Sequence, residues 1–393
     1  MPDHFFTTGL AAPALLRQLG ITRVGDITGL DSIGIPVWFA TRPNSRALSV
    51  AQGKGAGEAL ARISAVMEAA EGAVAERPED IVRCFGDLAE MASKTRKLVP
   101  FERLTRCDPA RIRPAHRYAW GRGIELNSGA EIFAPYELLG LDLRARTPWD
   151  HAAFRMSSIG LAAGNDREAV IAHALLEAIE HDATATLDLL GWVPAIARRI
   201  AYLPGDHAEL DDLVTKVQAA GFTPHFFALA GRVALPVIGC FFMREVVGEG
   251  GIGGTLTAGF ACRPDAGDAA AAALLECVQS RATDIAGARD DIKGFAYQGS
   301  RAQLPDGALP VVALREVTGH RPRDSLASPA ARLAHVMACL KSAGIDTVYA
   351  FDLQPPEIPL HVARVLVPDL GSGGEGGTLR GGAGILDALM RAG

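Results

Sequence analysis

Cysteine is scarce in this chain of 393 residues and never stands in a metal-binding or redox spacing. The six cysteines, Cys84, Cys107, Cys240, Cys262, Cys277 and Cys339, contain no C-x-x-C pair. That excludes a zinc ribbon and a thioredoxin-like motif and leaves them as reduced, structural thiols. Stretches of about 18 or more apolar residues are also missing, so no segment reads as a membrane-spanning helix. The opening MPDHFFTTGLAAPALLRQLG carries Asp3 where a secretory signal carries Lys or Arg, and the expectation is a cytoplasmic protein. Positive charge is in deficit: 39 Lys and Arg against 45 Asp and Glu give a net charge of −6, with a pI near 6.0. This balance removes the general electrostatic reason to bind nucleic acid or an anionic membrane; a polyanion held here should be small and held by a dedicated site. A Walker loop is absent too, because Lys54 in QGKGAGE is followed by Gly55 rather than Ser or Thr.

What the chain does have is alanine. With 49% hydrophobic and 21% charged residues it reads as globular. Three Ala-rich segments, about 55 to 77, 167 to 190 and 267 to 288, carry helical periodicity, and each follows a Gly-rich loop. The recurrence about every 100 residues has the look of a divergent repeat. Between them lie β-like runs: IPVWFAT (35 to 41), ALPVIGCFFM (234 to 243), LPVVAL (309 to 314) and DTVYAFDL (346 to 353). The expected fold class is α+β, built of two-layer units with helices packed on mixed or antiparallel sheets. Two stretches, the arginine-rich Thr105 to Pro148 and the Pro/Gly/Ser-rich 299 to 330, read as surface excursions.

The chemistry sits on the helices. Ser64, Glu68 and Glu71 share a face of the first, Glu177 and Glu180 share one of the second, and the third carries Glu276, Gln279 and Arg281. A lone E-x-x-E pair usually marks a solvated helix face. Here the flanks are apolar (MEAAEGAVAE, ALLEAIEHDA) and cationic partners at i+4 are lacking. Two bare carboxylates about 6 Å apart repel by about 3 kcal/mol at an effective dielectric near 20, so converging helices need a cation between them. Oxygen donors with little sulfur or imidazole suit Mg²⁺. A di-iron site wants Glu-x-x-His, and neither His173 nor His181 stands at that spacing. Lys54, on a Gly-rich loop just before the first helix, would put a cation and free N–H groups beside the metal, a setting for a triphosphate. Arg281, and Arg289 beyond it, would supply a second cationic clamp.

GKGAGEALARISAVMEAAE, SSIGLAAGNDREAVIAHALLEAIEHDA and ALLECVQSRATDIAGARDD resemble, in order and spacing, the three signature blocks of the YcaO superfamily. The likeness runs from about Gly34 to Pro368, which frames a catalytic ATP-binding domain over 34–368, an N-terminal extension over 1–33 and a Gly-rich tail over 369–393. It implies ATP and Mg²⁺ as cofactors and phosphorylation of a peptide-backbone amide oxygen. It also implies Glu68, Glu71, Glu177, Glu180 and Glu276 as metal-binding carboxylates, Ser64, Gln279 and Arg281 as nucleotide contacts, and Lys54 and Asn165 on the phosphate or metal side. Glu71, Glu180 and Arg281 would then be the catalytic residues.

Two departures stand out: Ile159 where the family's S-N-G has Asn, and His181 where its E-R-D has Arg. The product depends on the nucleophile. The Gly-rich end after Pro368, in place of a P-x-P-x-P tail, and the lack of an N-terminal peptide-clamping domain favour thioamide formation with a TfuA-like partner and a sulfur donor. Azoline cyclodehydration, an accessory role in methylthiolation and a non-catalytic, partner-binding role are the alternatives. A homodimer acting on a peptide or protein substrate is expected from the resemblance.

Overall fold

The computed structural model describes residues 13–244, 256–288, 304 and 309–371. Fourteen strands in this part of the chain form three sheets. The first sheet is antiparallel and made of β1 (Arg23–Asp26), β2 (Val37–Thr41) and β3 (Val50–Lys54). The second, also antiparallel, takes β4 (Val82–Gly86), β5 (Tyr118–Glu125), β6 (Glu131–Pro135) and β7 (Leu161–Gly164) from one part of the chain. The third holds β8 (Ala197–Ala201), β9 (Phe222–Leu229), β10 (Val237–Arg244), β11 (Thr257–Cys262) and β12 (Val311–Ala313), the last joining β8 in parallel. Late in the chain β13 (Tyr349–Asp352) and β14 (His361–Leu366) return to complete the second sheet, in the order β4-β5-β13-β14-β7 with β6 on β5.

The helices that cover these sheets are α1 (Pro13–Gln18), α2 (Glu58–Ala75), α3 (Arg167–Leu190), α4 (Ala208–Ala219), α5 (Ala266–Ala286) and α6 (Pro329–Ser342). The α+β class with two-layer units is what the sequence led one to expect, and the three Ala-rich segments are α2, α3 and α5. Each directly follows a strand: β3 leads into α2, β7 into α3, β11 into α5. The small residues have a steric purpose. A Cβ on Gly53 in β3 would lie 2.0 Å from the backbone N of Ala65 in α2, and one on Gly259 in β11 would lie 2.2 Å from that of Cys277 in α5. Helix and strand backbones therefore touch, which only glycine at these strand positions permits. Helix starts are capped by side chains at α3 (Asp166 to Ala169 N, 2.8 Å) and α5 (Asp265 to Gly267 N, 2.8 Å).

Two expectations need correction. Thr105 to Pro148 is no surface excursion: it supplies β5 and β6, and Tyr118, Trp120 and Tyr136 are among the largest fully buried side chains. Its arginines mislead because they sit in loops and on outward strand positions, while Trp120 Nε1 donates to Gly86 O at 2.8 Å inside the core. Nor is 1–33 a free extension throughout. From Pro13 it packs Leu15, Leu19 and Ile21 into the core and pairs β1 with β2. Residues 299–330 fit the excursion reading in their described part, where β12 is an edge strand and Val311 is 65% exposed. Arg289 and all of the tail beyond Gly371 lie outside the described residues.

Candidate active site

The site forms where α2 and α3 meet over the free edge of β7. An edge strand presents N–H groups with no partner strand, and here glutamates take them. Glu71 of α2 accepts from Ala163 N at 3.0 Å, and Glu177 of α3 accepts from Gly160 N at 3.2 Å. One turn along α3, Glu180 hydrogen-bonds the backbone of Cys262, the last residue of β11. Lys54, the last residue of β3, pairs with Glu276 of α5. Glu68 completes the group and acts electrostatically on Glu71, Glu177 and Lys54. All three strand–helix units contribute, and each delivers its charge from the strand end or the helix face beside it.

These side chains line a cleft rather than a sealed core: Lys54, Glu177 and Glu276 keep 27%, 28% and 35% of their surface open. Crowding and partial burial still shift their proton affinities. Burial, then Glu68 and Glu177, raise Glu71 well above the usual carboxylate range. Burial, then Glu68 and Glu180, push Glu177 up to about 8. Glu180 rises to about 7, by burial against the opposing pull of Arg263 and Lys54. Burial pulls Lys54 down despite its acidic neighbours. Lys54, Arg263 and Arg364 thus leave the five acids short of positive charge.

A cavity of about 160 Å³ opens beside Glu68 and Glu71, with Gln52, Ser157, Ser158 and Gln279 in its walls. Gln279 Oε1 and Gln52 Nε2 are buried there without a partner. An acceptor and a donor left bare in a polar cleft point to a ligand that satisfies both. The donor set suits Mg²⁺, being carboxylate and amide oxygen throughout. No three of the glutamates bring ligand atoms within 4.8 Å of one another; among the described residues only His207, Asp265 and Asp268 do so. Those three belong to the caps of α4 and α5 and to an ion pair with Arg323. The glutamate ring is wider, which suits an ion that keeps part of its water.

The structure brings Lys54, Glu68, Glu71, Glu177, Glu180, Glu276 and Gln279 together. Ser64 lies one turn before Glu68 on the same face of α2, half-buried. Two expected residues are elsewhere. Arg281 stands five residues past Glu276, on another face of α5; it is buried, its Nε donates to Asp31 at 2.7 Å, and it stacks 4.6 Å from the Phe222 ring. In this structure its guanidinium is engaged by Asp31 rather than open to the cleft. Asn165 is exposed at the far end of β7 and lines a separate hollow with Gln354 and His361. His181 is half-buried, 3.8 Å from Glu177, and burial lowers it to about 4, so it stands neutral where a permanent cation was lost.

Three arginines escaped the sequence reading. Arg263, next to Cys262, supplies the second charge acting on Glu180. Arg364, fully buried, donates to the carbonyls of Ser158 and Ile159 at 2.9 and 2.8 Å and acts on Glu71 and Glu177. Arg106 is buried behind Ile159. The available signal was a lone charge in the apolar run VARVLV.

Residues 52–371 match the model of the family described as YcaO cyclodehydratase, ATP- and Mg²⁺-binding. The chain belongs to the YcaO family, whose members are ATP-dependent peptide-modifying enzymes. It is 34% identical over 368 residues to a protein described as uncharacterized in the tfuA 3′ region of Rhizobium leguminosarum bv. trifolii, covering 90% of this chain and 84% of that one. It is 29% identical over 377 residues to an uncharacterized protein of Methanothermobacter thermautotrophicus, covering 90% and 91%. Among solved structures it resembles YcaO from Methanopyrus kandleri bound with AMPPCP and Mg²⁺ (TM-score 0.69, 22% identity, 93% of this chain and 90% of that one). It also resembles a heterocyclase in complex with substrate and cofactor (TM-score 0.70, 18% identity, 92% and 53%). No described helix is long and apolar enough to cross a membrane.

Proposed function

We propose that this protein uses ATP and Mg²⁺ to phosphorylate the oxygen of a peptide-backbone amide and that sulfide, delivered with the help of a TfuA-like partner, replaces that oxygen to give a thioamide. The observation that carries the amide-activating half is the gathering of five glutamates and Lys54 from three strand–helix units beside the unpartnered Gln52 Nε2 and Gln279 Oε1. The thioamide half is supported by the tfuA setting of the Rhizobium relative.

Glu68, Glu71, Glu177, Glu180 and Glu276 would hold magnesium, which when bound neutralises charge spreading over a transferring phosphoryl group. Lys54 and Arg263 bring the positive charge that a triphosphate needs on the β3 and β11 side of the cleft. The N–H groups of Gly160 and Ala163 fix Glu177 and Glu71, so the acids keep their positions without bound cation. Gln279 offers an acceptor and Gln52 a donor to polar groups of the nucleotide. The overall exchange balances: hydrosulfide adds to the amide carbon, the amide oxygen takes the terminal phosphoryl of ATP with ADP released, and the C–O bond then breaks, phosphate leaving with the oxygen and the sulfur's proton.

The test incubates the full chain with a TfuA-like partner, ATP, Mg²⁺, sulfide and candidate peptides, with mass spectrometry as the readout. The expected product is heavier by the difference between sulfur and oxygen and is absent without sulfide. A peptide lighter by one water in reactions lacking sulfide would identify azoline formation instead.

A further inference from the structure

Behind the acid cluster lies a buried cation with no anion against it among the described residues. Arg106 is 7% exposed; its Nη2 donates to Leu138 O at 3.2 Å, while Nη1 is buried without a partner. A second buried arginine stands near it. Arg364 bonds only carbonyls, those of Leu139, Ser158 and Ile159, and its Nη2 is also bare. Burial lowers Arg106 to about 10; burial and the charge of Arg106 lower Arg364 to about 9. No ion pair to either is present among the described residues. Glu177 acts on both from a distance and Glu71 on Arg364, and the proposed function commits both acids to magnesium. Buried charges without contacting counter-ions are among the most costly arrangements in a fold, and a bound anion relieves the cost.

The space for such an anion exists. Arg106 lines a recess of about 40 Å³ with Thr105, Leu138, Ile159, Ala178 and Gly371. At about 10–15 Å³ per water-sized probe, this admits a group of about one to three heavy atoms. The remaining lining residues are Leu and Val, and a guanidinium is itself weakly hydrated, so the recess suits a weakly hydrated, polarisable anion better than a hard one. Its place is also informative. Ile159 precedes Gly160, the donor to Glu177, and Ala178 follows Glu177 on α3, so the recess backs directly onto the site.

We propose that this recess binds a small, polarisable monovalent anion through Arg106, and, resting on the thioamide reading, that the anion is the hydrosulfide consumed in the reaction. Arg106 would then hold the sulfur nucleophile as the anion, beside the centre where the amide is activated.

The experiment titrates the full chain, free of nucleotide and in gluconate buffer, with bromide, thiocyanate or hydrosulfide, following the melting temperature. Sulfate at matched ionic strength is the control. The three small anions should raise the melting temperature saturably and sulfate should not. Arg106→Met removes the charge and keeps the stem; it should weaken bromide binding about tenfold or more and melt no lower than the parent in gluconate. Crystals soaked in bromide should show an anomalous peak within hydrogen-bond distance of Arg106 Nη1, a result that stands even if the variant fails to fold. A non-saturating rise that Arg106→Met retains, or ordered water without bromide at Nη1, overturns the site. Bound bromide with a KM for sulfide unchanged in Arg106→Met overturns the hydrosulfide assignment. Bound bromide with no sulfide-dependent product under any condition refutes the thioamide reading and leaves the anion site intact.

Discussion

Replacing Glu177 by Gln should make the metal-free protein more stable at alkaline pH. Glu177 titrates at about 8 in the fold against 4.5 in an unfolded chain, because burial, Glu68 and Glu180 all disfavour its charge. The native state therefore binds more protons than the unfolded state between those two values. Stability falls as pH rises through that window and is unaffected by this group below it. Each tenfold change in proton affinity corresponds to about 1.36 kcal/mol, which sets a ceiling of about 4–5 kcal/mol for a dry, isolated group. Glu177 keeps 28% of its surface in water, and its neighbours share the titration, so the expected loss is about 2 kcal/mol at pH 8. The assay is urea denaturation in EDTA at about pH 5.5 and about pH 8.5, comparing parent and Glu177→Gln. The parent should lose stability between the two and the variant lose less, ending above the parent at the higher pH. Saturating Mg²⁺ with a non-hydrolysable ATP analogue should reverse the order, since the parent gains a ligand that the variant holds poorly. A variant less stable than the parent at both pH values would contradict this account and assign Glu177 to the structural network around Gly160.

Lys54→Met should leave the fold intact and abolish ATP turnover, read as phosphate release with peptide present; unaltered turnover would remove Lys54 from the site. Gly53→Ala places a Cβ 2.0 Å from Ala65 N, forcing β3 off α2 at a cost of about 3 kcal/mol in urea, and Lys54 on the same strand should shift enough to weaken nucleotide binding. Arg281→Met breaks a buried pair with Asp31, so about 3 kcal/mol of stability should be lost. A KM effect for ATP without that loss would return Arg281 to the nucleotide.

The acids were legible in the sequence because an acid on an apolar helix without a counter-charge has few structural uses; α2, α3 and α5 could be read from periodicity and their glutamates from spacing. The pairing of Arg281 was not legible for a related reason. A cation two residues past Gln279 looks available until Asp31, some 250 positions away in the chain, is seen to occupy it. The place of Asn165 was not legible either: β7 passes the cluster at Gly160 and Ala163, while Asn165, just past its end, is exposed and lines a hollow with Gln354 and His361. Arg106 and Arg364 escaped because burial of a guanidinium among carbonyls depends on β5, β13 and β14 closing into one sheet. No local pattern records such closure.

The ion pair between Lys54 and Glu276 spans 222 positions, and β13 and β14 must travel back to lie between β5 and β7 before Arg364 reaches Glu71 and Glu177. The acid cluster is consequently assembled only after α5 and β14 have been made. A ribosome that has released α2 and α3 has exposed four of the five acids but neither the partner of Lys54 nor the arginine behind them. Chains truncated before β14 would hold the acids without Arg364 behind them, and any nucleotide site the acids build would wait on that strand.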